Sequence, residues 1–201
     1  MIITIDGYDG TGKTTLAKKL ANKYGFEFMD KPFIHKLQHE NSCSFSQAVI
    51  MAKEQENQLY KNYSRRDLVN FYCSAIQWVA EYAKDKNIVL DRGILTTYAV
   101  FGDEETVDLF DQYIQGGAFH YASIYLTATD LERRRRIYEN DPNDPDLKYP
   151  IEWRKTDLLE FSESRKLNMY KINTNDKTPD EVFSEVSNLF ENTFNINNPT
   201  L

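Results

Sequence analysis

The stretch "GYDGTGKTT", Gly7–Thr15, follows the short apolar run Ile2–Ile5. It satisfies G-x-x-x-x-G-K-[ST] at every fixed position, from Gly7 to Gly12, Lys13 and Thr14. Each fixed position has a physical purpose. Gly7, Gly10 and Gly12 allow backbone turns in which consecutive N–H groups converge on a phosphate. The helix that opens at Lys13 adds positive potential at its N-terminus. Lys13 is expected to reach the β- and γ-phosphates of ATP, and the Thr14 hydroxyl to sit on Mg²⁺. Tyr8, Asp9, Thr11 and Thr15 complete the expected ATP-binding loop.

Outward from the loop, short strand patterns alternate with helical ones. Leu16, Ala17, Leu20, Ala21 and Tyr24 fall at helical spacing, and Gly25 ends that helix. Phe26–Met29, Asn87–Leu90, Ala122–Leu126 and Met169–Ile172 read as further strands. Ser44 to about Lys86 reads as two helices broken near residues 62–65, Gly102–Gly117 holds another, and Ile151–Leu167 is helical. Thr129–Glu132 and Thr178–Glu181 are capping-box patterns that open helices. This alternation predicts an α/β P-loop NTPase fold: one domain over residues 1–201, a five-stranded parallel sheet with helices on both faces, and a lid at about 133–155.

Composition narrows the function. The chain has 201 residues, is 41% hydrophobic and carries a formal charge of −7, which disfavours general nucleic-acid binding. No apolar run approaches the roughly 20 residues that span a bilayer. The N-terminus lacks a signal-peptide pattern, and Cys43 and Cys73 read as free thiols, so a cytoplasmic protein is expected. His35 and His39 sit four apart without an evident third ligand, so no metal site is expected there.

Among P-loop classes, a GTPase needs a late N-K-x-D, and the motif is absent: the chain's Asn22-Lys23 pair lies inside the first helix. A motor or helicase ends a strand in paired acids, whereas this third strand ends "IVLDRG", with Arg92 following Asp91. An Arg at the C-terminal end of a parallel strand suits a second anion. These features favour a small kinase.

Asp6–Thr15 resembles the D/E-G-x-D-G-x-G-K-x-T form of the thymidylate kinase family, and "LDRGILTTYA", Leu90–Ala99, resembles its Asp-Arg motif. The resemblance implies a nucleoside monophosphate kinase that uses ATP and Mg²⁺, with dTMP as the acceptor and a possible homodimer. It places Asp9 in the loop facing the acceptor, Asp91 near Mg²⁺ or the acceptor, and Arg92 on the acceptor phosphate and the transferred group. The chain departs from the family at Asp30-Lys31-Pro32-Phe33, where Arg-Glu-Pro-Gly-Gly is usual, at Gly93, where Tyr is usual, and at Val100-Phe101, where Tyr-Gln is usual. All three departures lie on the acceptor side.

The residues leave two acceptors open. A nucleoside hydroxyl benefits from a carboxylate base, and related deoxynucleoside kinases place a Glu where this chain has Lys31. A nucleoside monophosphate is already anionic and needs cations, which Lys31, Arg65, Arg66 and Arg92 supply. The balance favours the monophosphate, although Asp30 or Asp91 would serve as a base for a nucleoside. Phe71 is a candidate for stacking on the acceptor base, with Tyr72 as its alternative. A third reading, a module that binds or hydrolyses ATP and transfers nothing, predicts hydrolysis that ignores any acceptor.

Four arginines at 133–136 open the lid. Only Arg133 and Arg136 share a helical face, and Arg136-Ile137 best matches the family's lid Arg-Ile. Some members carry an Arg where this chain has Gly10. Without it, a lid Arg is expected to stabilise charge on the transferring phosphoryl group. The catalytic set is therefore Lys13, Asp91, Arg92, Arg133 and Arg136, with Thr14 and Asp91 on the metal.

Overall fold

The computed structural model describes residues 1–62, 64–118, 122–144, 147 and 158–193. β1 (Ile2–Gly7) is buried along its whole length and forms the middle of a five-stranded sheet. Its near-continuous apolar run is what a parallel strand covered on both faces requires. β2 (Glu27–Asp30), β3 (Ile88–Asp91), β4 (Ala122–Thr127) and β5 (Met169–Asn173) complete the sheet in the order β2-β3-β1-β4-β5, with every neighbouring pair parallel.

Strand alternation divides the core into two layers. Ile3, Ile5, Val89, Ile124 and Leu126 pack beneath α1 (Lys13–Tyr24) and a C-terminal helix, Pro179–Thr193, whose Val182, Val186 and Phe190 are buried there. On the other face, Ile2, Ile88, Leu90 and Tyr125 pack against Val69, Cys73, Ile76, Ile94, Leu95, Phe110 and Phe161. Those residues come from α4 (Arg65–Tyr82), α5 (Ile94–Phe101), α6 (Val107–Tyr113) and α8 (Leu158–Ser164). Ahead of α4, α2 (Pro32–Asn41) and α3 (Phe45–Asn62) form a small separate core of Ile34, Leu37, Ala48 and Ala52. α7 (Asp130–Asn140) follows β4, and the C-terminal helix is α9.

Several local expectations hold with detail added. α1 begins and ends where the pattern placed it, with Gly12 and Gly25 both left-handed at φ 93° and 67°. Thr178 and Glu181 form the reciprocal capping box, with Glu181 accepting from the Thr178 N–H at 2.7 Å. At Thr129 only half the box forms. Its hydroxyl accepts from the Glu132 N–H at 3.3 Å, while the Thr129 N–H donates to Asn175 and the Glu132 carboxylate turns to Arg135 and Arg136. Pro32 occupies the first turn of α2, where its missing N–H has no intrahelical partner to lose. Most of the lid beyond Asp144, the start of the helix expected over 151–167, His120 and the tail from 194 lie outside the described residues. No helix among the described residues is long and apolar enough to cross a membrane.

Candidate active site

The C-terminal ends of β1 and β3 lie side by side, with Ile5 in register with Asp91. The phosphate loop leaves β1 and the Asp91-Arg92 pair leaves β3, so the fold joins two motifs that lie more than eighty residues apart. Ligands of open α/β sheets bind at this edge. A cleft of ≈ 1020 Å³ opens there, lined by the loop from Asp9 to Thr15, by Arg92, by Arg136 on α7 and by the turn before α9.

Within the loop, Thr11 donates its hydroxyl to the Tyr8 carbonyl at 2.7 Å, and the Lys13 ammonium donates to the same carbonyl at 2.8 Å. Gly7, Gly10 and Gly12 all have positive φ. Gly10 has a further constraint, because a Cβ there would lie 2.7 Å from the Arg133 carbonyl oxygen. The backbone of α7 therefore fills the space a side chain at position 10 would need. Thr15 lines the cleft, and Tyr8 packs edge-on against Tyr125 with ring centroids 6.4 Å apart.

Asp9 joins the two halves of the site. Its Oδ1 accepts from Arg92 at 2.6 Å and from Lys13 at 3.3 Å. Burial pushes the Asp9 carboxyl up, but Lys13 and Arg92 together outweigh it and hold it below its ordinary value. Lys13 moves the other way. Burial, then repulsion from Arg92, brings its ammonium down to about 8, against the smaller opposing pull of Asp9 and Asp91. Thr14 donates its hydroxyl to Asp91 Oδ2 at 2.5 Å. Asp91 Oδ1 is buried and has no hydrogen-bond partner among the described residues. An orphaned carboxylate oxygen beside a loop hydroxyl is a donor set that suits Mg²⁺, which takes one or two protein oxygens and completes its shell with phosphate and water. Among the described residues no cluster of three or more His, Cys, Asp or Glu is arranged to hold a metal alone.

The four consecutive arginines of α7 divide by face. Arg133 is buried, donates Nε to the Asp9 carbonyl at 2.8 Å and lies 5.0 Å over the Tyr8 ring. Arg136 faces the cleft and donates to Gly10 O at 3.4 Å and to Thr174 O at 2.6 Å. Arg135 bonds Glu132 and Glu139 on the exposed side, and Arg134, also exposed, donates to the Leu147 carbonyl at 3.5 Å. Hydrogen bonds from Arg135, then Arg136, bring the Glu132 carboxyl down to about 2.

The remaining acceptor-side residues lie apart from the phosphate cleft. Lys31 is exposed at the start of α2 with φ 43°. Arg65 pairs with Asp103 in the loop before α6, and Arg66 is bidentate to Asp108 in the first turn of α6 at 2.7 and 3.1 Å, so the two ions fasten α4 to that segment. Phe71 packs on Phe33 at 5.4 Å and on Tyr72 at 5.1 Å, and Tyr72 stacks on Phe101 at 5.6 Å. Gly93 leaves no room for the Tyr of the resembling family, since a Cβ would lie 2.7 Å from the Thr4 Cβ.

Sequence reasoning assigned no role to Asp6, although it begins the quoted motif. Its fully buried carboxylate accepts from Thr4, Gly93, Thr96 and Ser123. The signal was available, because an acid inside an otherwise apolar central strand demands buried partners.

Residues 2–147 match the cytidylate kinase-like family. A cytidylate kinase of Methanococcus vannielii is 29% identical over 148 residues, covering 73% of this chain and 70% of that protein. Another, of Acinetobacter baylyi, is 58% identical over 36 residues, a match that spans only 18% of this chain and 16% of that relative. Two solved structures share the fold at 17% identity and a TM-score of 0.61. One is thymidylate kinase from Candida albicans, covering 98% of this chain and 93% of its own, and the other is deoxyadenosine kinase from M. mycoides with bound dATP, covering 95% and 100%. The fold, the phosphate loop and the matched span together show that this chain belongs to the cytidylate kinase-like family of P-loop nucleotide kinases.

Proposed function

We propose that the protein transfers the γ-phosphoryl group of ATP to the phosphate of a nucleoside monophosphate, with cytidylate as the preferred acceptor. The carrying observation is the shared carboxylate of Asp9, held by Lys13 from the donor side and by Arg92 from the end of β3. An incoming phosphate can displace Asp9 from Arg92, and the guanidinium then draws the acceptor oxygen toward the γ-phosphoryl group. Asp9, whose carboxyl lies below its ordinary value, is a poor base for a hydroxyl. That favours an acceptor that arrives already ionised. Family membership favours cytidylate over the dTMP suggested by the motif resemblance.

In this reading Lys13 holds the β- and γ-phosphates and Arg136 approaches the transferring group from α7. α7 and the segment after it act as a lid that excludes water. Thr14 and Asp91 would hold Mg²⁺, which would supply positive charge to offset that of the phosphates. A nucleoside acceptor keeps one supporting observation. Asp30, at the end of β2, carries a half-exposed carboxylate 3.3 Å from His35 Nε2, where a base for a 5′-hydroxyl would be useful.

The test is ADP release measured with CMP, dCMP, UMP, dTMP and AMP and with the matching nucleosides. Release that depends on monophosphates, CMP first, is the expected result. Release with nucleosides alone overturns the reading, and release indifferent to every acceptor points to a hydrolytic module.

A further inference from the structure

The Arg92 backbone is strained. Its φ of 78° lies in the left-handed region, which an arginine adopts only when its surroundings impose it. Two contacts from β1 do so. The Arg92 N–H donates to the Ile5 carbonyl at 3.0 Å. The next N–H, of Gly93, donates to Asp6 Oδ1 at 2.8 Å. The same oxygen accepts from the Thr96 N–H at 2.8 Å and the Thr96 hydroxyl at 2.6 Å. Asp6 thus serves as the N-terminal cap of α5 from a different strand, a role Gly93, lacking a side chain, cannot fill itself. Its Oδ2 is held by Thr4 of β1 and Ser123 of β4, each at 2.7 Å, so both carboxylate oxygens are fixed. Gly93 completes the clamp, since a Cβ there would lie 2.9 Å from Asp6 Oδ2.

We infer that Asp6 is a positioning residue for the reaction. It holds the β3–α5 turn in the one conformation that aims the Arg92 guanidinium at Asp9 and the incoming acceptor. The inference rests on the role given to Arg92 above. It predicts energetic coupling between Asp6 and Arg92, because Asp6 acts on turnover only through Arg92.

The experiment is a double-mutant cycle on kcat and on KM for each substrate, using Asp6→Ala, Arg92→Ala and the pair. Thr96→Val is run alongside, alone and with Arg92→Ala, because at a buried site of similar shape it removes the hydroxyl that donates to Asp6; that hydroxyl also accepts from the Gly7 N–H at 3.3 Å, a loss that KM for ATP reads separately. Asp6→Ala is expected to lower kcat/KM for the acceptor at least tenfold with KM for ATP within about twofold, and to add less than about twofold once Arg92 is Ala. Thr96→Val should show the same pattern with a smaller loss. It carries the test alone if Asp6→Ala does not fold. Equal fold losses in both backgrounds overturn the positioning role and leave Arg92's own role standing, and so does wild-type activity in Asp6→Ala or, where only it folds, in Thr96→Val. Full activity in Arg92→Ala overturns the reading of Arg92 and the inference with it.

Discussion

Lys13→Met should make the nucleotide-free protein more stable while abolishing its activity. Lys13 is 4% exposed, and its ammonium falls from 10.5 to about 8 in the fold, chiefly through burial. At pH 7 the side chain is protonated in both folded and unfolded chains, so folding carries the full penalty of desolvating a cation. The difference between 10.5 and about 8 corresponds to about 3 kcal/mol. Met retains the length and apolar body of Lys. Neither former partner is orphaned, because Tyr8 O still accepts from Thr11 and Asp9 from Arg92. Subtracting about 1 kcal/mol for lost hydrogen bonding leaves a gain of about 2 kcal/mol, or roughly 4–8 °C in a domain of this size.

The pH dependence distinguishes this cause from better packing. The folded state loses the Lys13 proton as pH rises through about 8, whereas the unfolded chain keeps it to 10.5. Across that window the unfolded state binds more protons, so the wild type gains stability with pH relative to the variant. The wild type's penalty should fall by about 2 kcal/mol between pH 7 and pH 9.5, so nearly all of the variant's advantage should be gone at the higher pH. Thermal unfolding without nucleotide at both pH values, with ADP release as the activity check, measures it. A variant less stable than wild type at pH 7, or an advantage equal at both pH values, refutes the desolvation argument.

Three further outcomes follow from the site. Gly10→Ala should lose at least about 1–2 kcal/mol from its left-handed φ alone. The new Cβ, 2.7 Å from Arg133 O, should also push α7 from the loop and raise KM for ATP, and unchanged stability in chemical denaturation counts against this packing. Arg136→Ala should lower kcat by about 10² with a smaller change in ATP affinity. Arg134→Ala, whose guanidinium donates to the Leu147 carbonyl and does not line the cleft, is the control, and equal turnover in both variants removes Arg136 from the reaction. Asp91→Asn should raise the Mg²⁺ concentration giving half-maximal rate, because the orphaned Oδ1 is lost as a ligand or replaced by an amide, and a titration unchanged from wild type places the metal elsewhere.

The donor half of the site was legible because its requirements are local. Glycines with positive φ, a lysine and a hydroxyl at fixed spacing define the phosphate loop with no partner from elsewhere in the chain. Strand and helix periodicity likewise gave the alternating order of the α/β fold, since each buried parallel strand must be apolar on both faces. The split among the lid arginines followed from helix geometry, which puts Arg133 and Arg136 on one face and Arg135 on the exposed side.

Tertiary structure decided what depends on distant residues meeting. Arg65 and Arg66 read as free cations for an acceptor, and only the packing of α4 against the 103–108 loop brings Asp103 and Asp108 to them. Asp9 read as a loop residue with an implied facing. The pairing of β1 with β3 sets Arg92 against its carboxylate and makes it the link between donor and acceptor sides. Asp6 shows the difference most directly. Its sequence position says only that an acid lies in a buried strand, and burial says that it must be satisfied. The donors that satisfy it come from β3–α5 and β4, and only their convergence gives that carboxylate the turn on which Arg92 rides.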